Sequence, residues 1–122
     1  MITLITGKKA SGKSSMVKKI TNGAKTVYVP EYGLEHPFWT SMNEIKADVK
    51  FIVIDEATDA SKLKELFNDT LTVSEALKKE YSISTPDIII VSQTITDLDD
   101  VSFSHIDMDI EYDNINWKMK RL

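Results

Sequence analysis

The residues Gly7-Lys8-Lys9-Ala10-Ser11-Gly12-Lys13-Ser14 carry the clearest chemical spacing in this sequence. They satisfy G-x-x-x-x-G-K-[ST] at every fixed position, a pattern built to hold a phosphate chain. Glycines let backbone N–H groups approach an anion closely. On this reading the N–H groups from Lys9 to Ser15 cradle the β-phosphate, helped by the positive end of the helix that follows. Lys13 reaches β- and γ-phosphate oxygens, and Ser14 turns its hydroxyl toward Mg²⁺. The expected nucleotide-binding set is therefore Gly7, Lys8, Lys9, Ala10, Ser11, Gly12, Lys13, Ser14 and Ser15, with ATP and Mg²⁺ as the implied ligands. The plain alternative is a glycine-containing turn that binds nothing.

Two further positions could complete such a site. Asp55 follows the apolar run Phe51-Ile52-Val53-Ile54, and a carboxylate there can hold Mg²⁺ directly or through water. Glu56 comes next, and strand side chains alternate, so it points away from Asp55. That separates metal binding by Asp55 from orientation or deprotonation of a water by Glu56. Gln93 ends a second apolar run, Ile88-Ile89-Ile90-Val91-Ser92, where an amide can bond both water and γ-phosphate. Ser92 or Thr94 could share that task. The expected catalytic set is Lys13, Glu56 and Gln93, and the metal set is Ser14 and Asp55. Against these stand plainer readings: a strand end for Asp55 and Gln93, and a helix-capping carboxylate for Glu56. Arg121 is the only arginine, and a surface residue near the carboxyl terminus explains it better than a phosphate-stabilising finger does.

These groups need elements to position them. Ile2 to Thr6 reads as a buried parallel strand closed by Gly7, and Lys13 to Thr21 as a helix with Met16, Val17 and Ile20 on one face. Asn22-Gly23 stops that helix. Thr26 to Val29 forms a short strand ended by Pro30. Ser41 with Glu44, and Thr72 with Glu75, open two further helices as capping boxes, and residues 59–68 carry a third at helical spacing. Strands over Phe51–Ile54 and Ile88–Ser92 follow from their apolar runs. Four strands alternating with helices predict one α/β domain over residues 1–122 with a mainly parallel sheet, whose ligands bind beyond the carboxyl ends of the strands.

From Ile106 onward apolar and charged residues alternate. This predicts a C-terminal antiparallel β-hairpin turning at Asp113-Asn114, with Tyr112 facing Ile115, Ile110 facing Trp117 and Met108 facing Met119. On the other face Asp109 meets Lys118 and Asp107 meets Lys120.

Bulk properties narrow the functional classes. With no cysteine, disulfides and thiolate metal sites are excluded, which fits a cytoplasmic setting. No apolar run approaches the roughly 20 residues of a membrane span, and no signal peptide is visible. Net charge is −4, yet all six charged residues of the first thirty are lysines, while residues 97–113 hold seven acids and no base. The basic start suits a polyphosphate, and the acidic end argues against a surface that coats nucleic acid generally, although a local basic patch could still contact DNA. His36 and His105 have no metal-ligand spacing, and Tyr28, Trp39 and Trp117 read as packing residues rather than base-stacking platforms.

The Walker A loop, a Walker B strand ending in Asp55-Glu56 and a fourth strand ending in a polar sensor resemble the additional-strand, catalytic-glutamate division of P-loop NTPases. The resemblance covers residues 1–93. Within that division, Phe51-Ile52-Val53-Ile54-Asp55-Glu56-Ala57, with Asp87-Ile88-Ile89-Ile90-Val91-Ser92-Gln93-Thr94 and Ile95-Thr96-Asp97-Leu98-Asp99-Asp100, looks like the Zot-type ATPases of filamentous phages, relatives of the FtsK–HerA DNA-pumping motors. That type usually carries arginines before the fourth strand, where this chain has Tyr81-Ser82-Ile83-Ser84-Thr85-Pro86, and a membrane segment, of which this sequence shows none. The resemblance implies the P-loop NTPase fold, a mainly parallel sheet flanked by helices. It also implies an ATP hydrolase of a phage or mobile element that couples hydrolysis to DNA or virion handling, as a homo-oligomer or with a partner chain. Two other functions remain open at this level: a nucleoside or nucleotide kinase, and a non-hydrolysing nucleotide-dependent assembly switch.

Overall fold

The computed structural model describes residues 1–8, 11–30, 49–55, 86–93, 106–113 and 115–121. Within them lie β1 (Ile2–Thr6), α1 (Lys13–Thr21), β2 (Thr26–Pro30), β3 (Phe51–Asp55), β4 (Asp87–Ser92), β5 (Met108–Tyr112) and β6 (Trp117–Arg121). The helices expected after Ser41, over 59–68 and after Thr72 lie outside the described residues.

The strands form one sheet in the order β2-β3-β4-β1-β5-β6. Neighbours from β2 to β5 run parallel, and β6 closes the sheet antiparallel to β5. The α/β class, the mainly parallel sheet and the C-terminal hairpin thus agree with the sequence reading. The apolar runs explain the centre of the sheet. Ile52, Val53 and Ile54 of β3 and Ile88, Ile89 and Ile90 of β4 are all at most 1% exposed, so both faces of these strands are covered. A strand buried on both sides has no use for alternation, which is why these segments read as continuous apolar runs. Each such side chain contributes about 1.5–3 kcal/mol by leaving water.

α1 packs on one face of the sheet. Met16 and Val17 join Ile5, Val53, Ile89, Val91 and Ile110 in a single cluster, with Ile20, Phe51, Met108 and Trp117 packed against it. The helix ends as its sequence dictates. Asn22 takes a left-handed conformation (φ 44°) and donates its N–H to Lys18 O at 2.9 Å. Lys18 and Lys19 place positive charge in the last turn, where the helix dipole is negative. No helix among the described residues is long and apolar enough to cross a membrane.

The hairpin forms in a register two residues away from the expected one. Tyr112 pairs with Trp117, Ile110 with Met119, Met108 with Arg121, Asp109 with Lys120 and Glu111 with Lys118. The cause is the turn. Asp113 Oδ1 accepts from the N–H groups of Ile115 at 3.0 Å and Asn116 at 2.7 Å, and Asp113 N–H donates to Asn116 O at 3.1 Å. The connection therefore runs from Asp113 to Asn116 rather than turning at Asp113-Asn114. A slip of two residues returns every side chain to its own face, so acid still meets base, and apolar still meets apolar except at Met108, which now pairs with Arg121. Its cost falls on Ile115, which is 78% exposed instead of paired. Asp107 is also released from Lys120, and its Oδ2 instead accepts the N–H of Ile2 at 2.7 Å. Burial, then the neighbouring Glu111, raise the pKa of Asp109 against the opposing effect of Lys120.

The Asp113 turn yields a pH prediction. The backbone N–H of Asn116, the Lys118 ammonium and the N–H of Ile115 hold the Asp113 carboxyl down at about 2, from an ordinary 3.8. A depressed carboxyl pKa stabilises the folded state above the unfolded value, and that stability is lost as pH falls through the folded value. Hairpin stability should therefore decline as pH drops below 3.8 toward 2, and Asp113→Ala should remove that dependence. Carboxyl NMR titration checks the low midpoint, and amide shifts of Ile115 and Asn116 report the turn.

Candidate functional site

β1 delivers its chain directly into the loop. The Gly7 N–H donates to Ser92 O at 3.3 Å, tying the loop's first residue to the end of β4. A side chain at Gly7 would force its neighbours to shift: a Cβ there would lie 2.6 Å from Ser11 Oγ and 3.2 Å from Tyr112 Cβ. Ser11 N–H donates to Lys8 O at 3.2 Å, turning the chain back on itself. Gly12 then enters α1 with φ 93°, a conformation that strains any residue with a Cβ.

The amino end of α1 is built without its usual satisfaction. Gly12 supplies no side-chain cap, and no acid occupies the first turn. The first bond of the helix runs from Met16 N–H to Gly12 O at 3.0 Å, so the N–H groups of Lys13, Ser14 and Ser15 stand outside the helical ladder. Ser14 and Ser15 are exposed. Lys13 Nζ folds back over the loop and donates to Gly7 O at 2.6 Å and Lys8 O at 2.8 Å. Ser11 Oγ is buried without a hydrogen-bond partner. Buried hydroxyls seldom stay unpaired. The uncapped helix start and the Lys13 ammonium over the loop are the features that suit a phosphate group.

The parallel sheet brings the other strand ends to the same edge. Thr6 pairs with Ser92, so Gly7 and Gln93 leave adjacent strands at the same level. Ile54 pairs with Ile90, which sets Asp55 level with Val91, two strands away from β1. At the usual strand spacing that separation is on the order of 10 Å. Asp55 and Gln93 are exposed there, while Ser92 is buried. The connection from β1 to β2 passes over β4 and β3, while that from β4 to β5 passes over β1, so the two run in opposite directions along the sheet.

Gly7, Lys8, Ser11, Gly12, Lys13, Ser14, Ser15, Asp55 and Gln93 are therefore brought to one edge. Lys9, Ala10 and Glu56 lie outside the described residues. Arg121 is not brought there: it pairs with Met108 at the start of β5, at the opposite edge of the sheet. A metal ion has a restricted choice of ligands. Among the described residues no three His, Cys, Asp or Glu side chains gather into a metal-binding group. A Ser14 hydroxyl and an Asp55 carboxylate suit Mg²⁺, which takes few protein ligands and completes its shell with phosphate oxygens and water.

One neighbour of the loop was missed in the sequence. Tyr112 stands against Gly7 because β5 pairs with β1 in parallel, with Thr6 opposite Glu111. No local pattern signals that contact, which depends on strand order. The chain matches no family model, and no curated protein matches it.

Proposed function

We propose that this chain is a Mg²⁺-dependent ATPase with the P-loop NTPase fold, related to the additional-strand, catalytic-glutamate division. The observation that carries the reading is the loop itself: a glycine-bounded turn with the Lys13 ammonium folded over it, an uncapped helix start behind it, and Asp55 on the same sheet edge. The strand order adds support. β4 is interposed between β1, which carries the loop, and β3, which carries Asp55, as the name of that division implies.

Lys13 exchanges its loop carbonyls for β- and γ-phosphate oxygens when ATP enters, and the N–H groups at the start of α1 take the β-phosphate. Ser14 and Asp55 hold Mg²⁺, whose charge offsets that of the phosphates. Glu56 orients a water and accepts its proton as the water oxygen bonds to the γ-phosphorus. The bond between that phosphorus and the β,γ-bridging oxygen breaks, and ADP leaves with the electron pair. Gln93 positions the water and senses the γ-phosphate. With Arg121 at the far edge, a cation from a second copy or a partner chain would complete the charge balance in an assembly that handles DNA or virion components.

Phosphate release from Mg-ATP, with and without single- and double-stranded DNA, tests the reading. Turnover, raised by DNA, is the expected result. Tight ATP binding with no turnover under any condition would replace it with the assembly switch, and phosphate transfer to a nucleoside or nucleoside monophosphate would replace it with the kinase.

A further inference from the structure

The sheet gives the loop a direction. On one side of β1 lie β4 and β3, with Gln93 and Asp55 at their carboxyl ends; on the other lie β5 and β6. A triphosphate whose metal-bound, γ-phosphate end faces Asp55 and Gln93 must run across the loop toward β5. Its nucleoside then emerges beside Tyr112 and Trp117. Tyr112 abuts Gly7, the loop's first residue, on the face of the sheet that carries α1. Trp117 pairs with Tyr112 across the hairpin, and the two rings stand 5.1 Å apart with their planes tilted by 47°. Both side chains are half-buried: each keeps part of its surface open. Trp117 also packs against the cluster that includes Met16 and Val17, which fixes its position relative to the loop helix.

We propose that Tyr112 and Trp117 form the platform for the nucleobase, so that the site takes a nucleoside triphosphate held at its base by stacking. The proposal rests on the triphosphate reading of the loop. It gives the hairpin a ligand-binding role that its alternating sequence does not disclose. The register makes this possible: the turn at Asp113–Asn116 sets Trp117 opposite Tyr112, whereas a turn at Asp113-Asn114 would have set Ile115 there.

The test compares Mg-ATP with Mg-tripolyphosphate, which has the phosphates and no base. Base–aromatic stacking is sequence-tolerant and large enough that Tyr112→Ala should weaken ATP binding about tenfold. Tripolyphosphate binding should not change. In a Trp39→Phe background, the emission of Trp117 should respond to ATP and not to tripolyphosphate, a readout that leaves Tyr112 and the loop intact. Unchanged ATP affinity in Tyr112→Ala, an equal loss for both ligands, or a Trp117 signal identical for both would overturn the platform. Wild-type protein that binds neither ligand would instead overturn the triphosphate reading on which the platform rests.

Discussion

Lys13→Ala should lower the affinity for Mg-ATP by at least about a hundredfold, because it removes charge-assisted bonds to two phosphates, each worth roughly 1.5–3 kcal/mol. The fold should persist. Lys13 is half-buried, among the described residues its ammonium bonds only to the loop carbonyls of Gly7 and Lys8, and the buried isoleucines of β3 and β4 do not depend on it. The two losses are therefore separable: calorimetric titration should show no heat of ATP binding, while circular dichroism and the thermal transition stay near those of wild type. Lys13→Arg keeps the charge but carries a planar fork in place of a compact ammonium. It should rescue little, since two backbone carbonyls close in on Nζ at 2.6 and 2.8 Å.

Glu56→Gln should cut ATP turnover by roughly 10²- to 10⁴-fold, the range associated with loss of a positioned general base. Affinity for Mg-ATP should stay within a few-fold of wild type. Asp55 lies on the face of the sheet that carries α1, in line with Phe51 and Val53 of the core cluster. The next side chain of an extended strand points the other way. Substitution of the two adjacent carboxylates should consequently give different phenotypes. Asp55→Asn should lose Mg²⁺-dependent affinity, whereas Glu56→Gln should lose chemistry alone. Steady-state phosphate release, combined with equilibrium binding in the presence and absence of Mg²⁺, separates them. Equal phenotypes for both substitutions would assign the carboxylates a shared structural role.

Local signals made much of the fold legible. The span of α1, from Lys13 to Thr21, follows from its apolar face and the Asn22-Gly23 stop, and the inner strands follow from apolar runs that only a doubly covered sheet can use. The loop and the strand ends at Asp55 and Gln93 were readable because motif and strand boundary coincide. What was not readable depended on distant pairing. Strand order is set by crossovers, so neither the insertion of β4 between β1 and β3 nor the approach of Tyr112 to Gly7 has a local signature. The hairpin register was misread for a different reason. Alternation has period two and is blind to a two-residue slip, and the choice was made by the Asp113 carboxylate, which satisfies two turn N–H groups at once.

The most direct test of the triphosphate site is an amide NMR titration of the wild-type protein with Mg-ATP. The amides of Gly12, Lys13, Ser14 and Ser15 should shift together with those of Asp55 and Gln93, all at the carboxyl edge of the sheet. The amides of Lys50 and Ile106, which precede β3 and β5 at the opposite edge, should stay in place. Shifts confined to that opposite edge, or no shifts at millimolar Mg-ATP, would contradict the assignment of this loop as a nucleotide site.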